Sequence, residues 1–214
     1  MEQNILDEVR EIKKSLRLAM NGIVSTLQRR QGLDYKINFG VEIPRLKGIA
    51  DAHSKSKELA IALWQDNIRE CKMLAILLMP PEECESIADQ WIGETKFTEI
   101  ADHLAMHLLC RMPDAWNKAL LWTKSDEGLY AYCGYLTISH LTRRGVLPNR
   151  EQEKIFFDGV TTAGAHPVQN ITTRSALNAL TNYLDRFPDA VQRLREATTN
   201  CIPDSIAALL EEFE

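Results

Sequence analysis

A chain of 214 residues, 45% hydrophobic and only 7% aromatic, fits one domain or one short repeat array with a continuous core. Ten Gly and eight Pro, set among stretches rich in Ala, Leu, Glu, Lys and Arg, argue against a sheet sandwich and for an all-helical protein. A net charge of -5 excludes a surface that grips phosphate everywhere, because such binding needs Lys and Arg to displace counterions; a local basic face remains compatible with it.

The first predicted element is a long helix over 3–28, where Ile5, Val9, Ile12, Leu16, Ala19, Ile23 and Leu27 form one stripe at three- and four-residue steps. With only about three heptads, that stripe is expected to pack on the next helix pair rather than on a second chain. The opening residues MEQNILDEVR are acidic and carry no apolar leader, and the longest aliphatic run, 73–79, is too short to span a bilayer. A cytoplasmic protein with no membrane partner is expected. Residues 29–39 read as a loop.

From there prolines punctuate the chain. Pro44, Pro81, Pro113, Pro148, Pro188 and Pro203 each stand where a helix can begin, because the first turn needs no donor from that nitrogen. The first five are 32 to 40 residues apart, close to the period of paired-helix repeats. Between them the apolar spacing is helical: Ile68, Cys71, Leu74, Ala75 and Leu78 in one segment, and Phe97, Ile100, Ala101, Leu104, Ala105, Leu108 and Leu109 in the next. Residues 132–141 are nearly all apolar and so predicted to be central. Ile206, Leu209, Leu210 and Phe213 form a one-sided stripe suited to a terminal cap over 203–213. The expected architecture is a single α-solenoid domain over 1–214, all-α, a HEAT/ARM-like right-handed superhelix of about six antiparallel helix pairs, with repeats over about 40–200.

Residues 38–79 are the most specific stretch. Phe39-Gly40-Val41 makes an aromatic-Gly-Val turn; Pro44 and Arg45-Leu46-Lys47 follow, then Leu63-Trp64, then Ile68-Arg69-Glu70 ahead of an apolar helix. In that order the segment resembles the opening repeats of the HEAT-like alkylpurine DNA glycosylases of the AlkD-like DNA alkylation repair family. The resemblance implies a helical array cradling double-stranded DNA and releasing N3- or N7-alkylated purines without metal or cofactor. In that family a Trp-x-x-x-Asp pair faces the lesion, and later repeats supply an Arg and a second Trp. A carboxylate near the sugar would stabilise the oxocarbenium-like transition state, and the aromatic rings would offer cation-π contacts.

Carried onto this chain, the resemblance puts Asp102 on the catalytic carboxylate and Thr98 on its Trp. Tyr132 falls on the Arg, Arg174 on a basic position and Asn178 on the second Trp. Glu99 stands beside Asp102 on the polar face of its helix, and Lys118, Arg143, Arg144 and Arg150 are further candidates for phosphate contact. Because Thr98, Tyr132 and Asn178 replace the aromatic and Arg positions, DNA binding with weak or lost glycosylase activity is the leading expectation. The alternative is a non-catalytic helical scaffold that binds a protein or peptide.

One rival constellation competes for chemistry. Glu99, His103, His107 and Cys110, at steps of four, four and three, would share one helix flank with metal-ligand atom types. Ligands from one helix rarely complete a tetrahedral site and no H-E-x-x-H motif occurs, so packed, hydrogen-bonded roles are expected and no metal is assigned. Cys110 beside His107 lacks the orienting group a nucleophile needs. The five Cys, at 71, 84, 110, 133 and 201, show no C-x-x-C spacing and are expected to be reduced thiols. Trp64, Trp91, Trp116 and Trp122 are expected in the core.

Overall fold

Every regular element is helical among the described residues, 2–197 and 202–213, of this computed structural model. Cys201 lies outside them. The sole extended pairing within them is an isolated parallel bridge between Ile37 and Ile68. Contacts gather in two compact units, Met1–Ile87 and Ala88–Glu214.

Unit 1 holds α1 (Glu2–Leu18), α2 (Gly22–Arg30), α3 (Ile43–Ala50), α4 (Lys57–Trp64) and α5 (Arg69–Leu78). The helix expected over 3–28 is therefore two helices. Asn21 breaks it: its backbone is extended, its side chain caps the amides of Ile23 and Val24, and its own amide donates to Phe39 O. Only the first half of the apolar stripe is used. Val9, Ile12 and Leu16 are buried, while α2 buries no residue at all. α1 is tied down by Lys13–Asp66 and Glu8–His53, at 2.7 and 2.8 Å.

The aromatic-Gly-Val turn explains the break. Gly40 sits at φ 68, and a Cβ there would run into Asn21 O and Ser25 N, so only glycine lets the turn lie against the start of α2. Ser25 Oγ donates to Asn38 O at 2.8 Å, and Asn38 Oδ1 accepts from Gly40 N at 2.8 Å. From the other side, the buried Glu70 carboxylate accepts from Phe39 N at 3.0 Å and Val41 N at 3.2 Å. Arg69 donates to Val41 O at 3.2 Å and to Glu70 at 3.1 Å, so that charge is compensated where water does not reach. Phe39-Gly40-Val41 and Ile68-Arg69-Glu70 thus form one structural lock.

α6 (Glu85–Glu94) follows the 3-10 turn Pro81–Glu83 and runs into unit 2. Beyond it come α7 (Thr98–His107), α8 (Ala115–Trp122), α9 (Tyr130–Arg143), α10 (Arg150–Gly164), α11 (Ile171–Arg186), α12 (Ala190–Ala197) and α13 (Asp204–Glu211). The predicted proline starts hold. Asn149 after Pro148 makes a full capping box with Gln152, Pro203 is the N-cap of α13, and α12 opens two residues after Pro188.

Unit 2 is layered. α7, α9 and α11 pack in sequence, as do α8, α10 and α12, and α9 also packs on α8. That places α9 at the centre, as its apolar run predicted. Gly134 makes the α8–α9 approach possible, because a Cβ would meet Ala119 O and the Thr123 amide. Trp116 and Trp122 are buried and donate to Val146 O and Asp89 Oδ1, at 3.1 and 2.6 Å. α10, α11 and α12 are joined where Glu153 accepts from Tyr183 and, bidentately, from Arg193 at 2.7 to 2.9 Å. Burial pushes the Glu153 carboxyl up, but those donors outweigh it and hold the pKa below the ordinary value. No helix among the described residues is long and apolar enough to cross a membrane.

Candidate functional site

The layer of α7, α9 and α11 carries most of the residues singled out from sequence. Thr98 opens α7, and Glu99 and Asp102 follow within a turn of it. Tyr132 lies in the first turn of α9, with Arg143 as its last residue; Arg174 and Asn178 lie one turn apart on α11. Asp102, Arg143, Arg174 and Asn178 are exposed and Tyr132 is half-buried.

Asp102 and Tyr132, thirty residues apart in the chain, meet: the Tyr132 hydroxyl donates to Asp102 Oδ1 at 2.7 Å. Although Asp102 is exposed, the helices around its carboxyl strip part of its hydration, which raises its pKa. The Tyr132 donor works against that rise and the charge of Glu99 adds to it. Tyr132 is itself pushed well above the ordinary phenol value, first by burial, then by its bond and charge interaction with Asp102, while Arg174 acts in the opposite sense. Arg174 therefore stands near enough for its charge to reach this pair. The result is a carboxyl held by a neutral donor, next to another carboxylate, with a guanidinium on the neighbouring helix.

Further along the layer, Arg143 Nε donates to Asn182 Oδ1 at 3.0 Å, and Asn182 donates to Ser139 Oγ at 2.9 Å and to Asn178 O at 2.7 Å. Asn182 is a residue that sequence reasoning missed. Its signal was a helical step of four from Asn178, itself four from Arg174, along one stripe of α11. The stripe fixes the direction in which the Arg143 guanidinium points.

Three candidates fall outside this arrangement. Arg144 was expected to contact phosphate, but its guanidinium donates to Cys110 O at 2.8 Å and lies 3.7 Å from the Cys110 thiol. It closes the end of α9 onto the 3-10 turn Leu109–Arg111. Lys118 is on α8 and Arg150 opens α10, both in the other layer. The metal-type constellation is not assembled either. α7 ends at His107 because Leu108 leaves the helical conformation at ψ -64 and φ -124, so Cys110 belongs to the 3-10 turn and its thiol donates to Met106 O. His103 is buried with its ring against that of His107, and no group of three or more metal-type ligands occurs among the described residues. Cys71, Cys84, Cys110 and Cys133 are free thiols, and burial pushes Cys71 and Cys133 up to about 12, which removes them as nucleophiles at neutral pH.

Chemically, a carboxylate that stabilises an oxocarbenium ion acts through its full negative charge near the sugar. Asp102 keeps the carboxylate, but one oxygen is occupied by Tyr132 and its ionisation is made harder by its surroundings. Thr98 and Asn178 offer hydrogen-bonding groups and no ring for a cation-π contact.

A family model described as DNA alkylation repair enzyme matches residues 28–157. That span contains the lock of unit 1 and both Asp102 and Tyr132. No curated protein matches the chain. A solved structure described as "a new family of proteins related to the HEAT-like repeat DNA glycosylases with affinity for branched DNA structures" superposes with a TM-score of 0.75 at 19% identity. The alignment covers 89% of this chain and 81% of that one, a likeness that shows the HEAT-like helical repeat fold.

Proposed function

This chain belongs to the DNA alkylation repair enzyme family, and from that premise we propose that it is a DNA-binding protein whose N-glycosidic hydrolysis is weak or lost. The observation that carries the reading is the Tyr132–Asp102 hydrogen bond, which ties the one retained site carboxylate to a neutral donor. Arg174 and Arg143 supply fixed charge on the same layer for phosphate oxygens, and Thr98 and Asn178 supply neutral donors. Phosphate contact positions DNA without reading sequence, so shape is the property such a face selects. The structural relative described as having affinity for branched DNA makes junction-containing DNA the first substrate to try.

The reading is tested with two assays on the same preparation. In fluorescence anisotropy at low salt, a four-way junction and a linear duplex of equal length should both bind, with affinity falling linearly in log salt. Arg143→Gln with Arg174→Gln should reduce that slope by about 2, roughly one for each phosphate that is no longer neutralised. In parallel, methylated duplex should release 7-methylguanine and 3-methyladenine at, or only slightly above, its spontaneous rate. Absence of DNA binding at low salt sinks the binding half. Release far above the spontaneous rate that disappears in Asp102→Asn overturns the other half and assigns Asp102 the catalytic carboxylate.

A further inference from the structure

Charge and apolar exposure coincide at one place in unit 1. Residues 13–47 hold eight basic and two acidic residues, in a chain whose net charge is -5, so the rest of the chain is strongly acidic. Within this segment α2 stands out, since a helix that buries none of its residues normally carries a polar surface. Here Ile23 is 84% exposed and Leu27 54%, one turn apart; the last residue of α1, Leu18, adds 79% and Met20 in the link between the helices 62%. Arg30 continues the same stripe three residues past Leu27. Arg17 and Lys14 at the end of α1, and Arg29 beside Arg30, are exposed and make no ion pair among the described residues.

We propose that this ridge is a docking surface for DNA whose base stack is open, as at a branch point or a strand end. The inference rests on the DNA-binding reading above and assigns part of it to unit 1. Its warrant is complementarity of two kinds. Arginine and lysine at the flanks match phosphate, and the aliphatic ridge matches the faces of bases, which are apolar and hidden in a continuous duplex but presented where stacking is interrupted. Other occupants fit less well. A second copy would bring like charges together across the ridge. An anionic membrane is normally met by a longer amphipathic helix with aromatic residues at its apolar edge, and α2 has nine residues and none of them aromatic.

Ile23→Ser with Leu27→Ser tests the ridge, and Arg29→Gln with Arg30→Gln tests the flank. Neither pair is buried, so circular dichroism should be unchanged. The serine variant should bind a four-way junction about tenfold more weakly and an unbroken duplex less than about twofold more weakly, with its salt slope intact. The glutamine variant should bind both DNAs more weakly and lower the slope by roughly 1 to 2. With 2-aminopurine at the branch point, wild-type binding should raise fluorescence and the serine variant should not. If wild type binds the junction and the serine variant binds it equally, the inference fails while the DNA-binding reading stands; if wild type binds no DNA, both fail. Wild-type binding to phosphatidylserine vesicles, or self-association in sedimentation, that the serine variant abolishes with junction affinity unchanged would equally overturn it.

Discussion

Tyr132 and Asp102 show how much one hydrogen bond changes the meaning of a residue. The family resemblance puts Asp102 on a catalytic carboxylate and Tyr132 on a replaced arginine; in the fold they are a hydrogen-bonded pair at 2.7 Å. The hydroxyl is the influence that pulls the Asp102 pKa down against burial, so Tyr132→Phe should move that pKa further up, measurable by carbon-13 NMR titration of the carboxyl. A downward or absent shift would mean that the bond does not form in solution. The sign also reaches stability. Asp102 is raised above its ordinary 3.8, so the native state holds this proton more tightly than the unfolded chain does. Its ionisation therefore costs stability above the folded pKa, and that cost is relieved as pH falls toward the unfolded value. Asp102→Asn keeps an acceptor for Tyr132 and removes the charge, and should leave the melting temperature at pH 7 equal to wild type or higher. A clear drop would show that the carboxylate supports the fold.

At the scale of elements, the residues that mark the family most specifically hold the scaffold together. Glu70 is fully buried and fixes the Phe39-Gly40-Val41 turn through two backbone amides, with Arg69 beside it. Glu70→Gln leaves that guanidinium without its counter-charge and weakens the amide bonds, and removing one partner of a buried pair costs about 3 kcal/mol or more. For a chain of this size that is roughly a 10 °C fall in melting temperature, which calorimetry would read; a change under about 2 °C would show that the lock is not under load. The proline-initiated helices were legible in sequence because proline restricts the chain locally, whatever the tertiary context. The break at Asn21 was not legible. The apolar stripe runs through it without interruption, and what ends the helix is a turn that arrives at Phe39 and Gly40, eighteen residues later. Arg144 differs from Arg143 for a related reason: in sequence the two are twins, and only the fold sends one to Asn182 and the other to a carbonyl at Cys110. Asp102, Tyr132 and Arg174 were each placed by position, but their convergence needs α7, α9 and α11 side by side.

For the whole molecule, charge decides how DNA is met. A protein at -5 repels a polyanion on average, and only segregation of its basic residues, with the excess concentrated in 13–47, lets a face attract one. Affinity should then depend on how negative the remainder is. With a sequence pI near 5.6, lowering pH from 7.5 to 6 brings the net charge toward zero. His140 adds little to this, because burial and then the charge of Arg143 hold its pKa down. Asp102 works in the favourable direction, since its raised pKa lets it begin to neutralise earlier than an ordinary carboxyl. Glu153 keeps its hold on α10, α11 and α12 over this range: the stabilisation it gives, with its folded pKa depressed, is fully present above its ordinary 4.5 and is lost only as pH falls through the lower folded value. At constant ionic strength, junction and duplex affinity should both rise several-fold between pH 7.5 and 6, measured by anisotropy with native circular dichroism throughout. Affinity that is flat or falls over that interval would mean that long-range repulsion does not limit binding, and that short-range interactions at the basic faces set it alone.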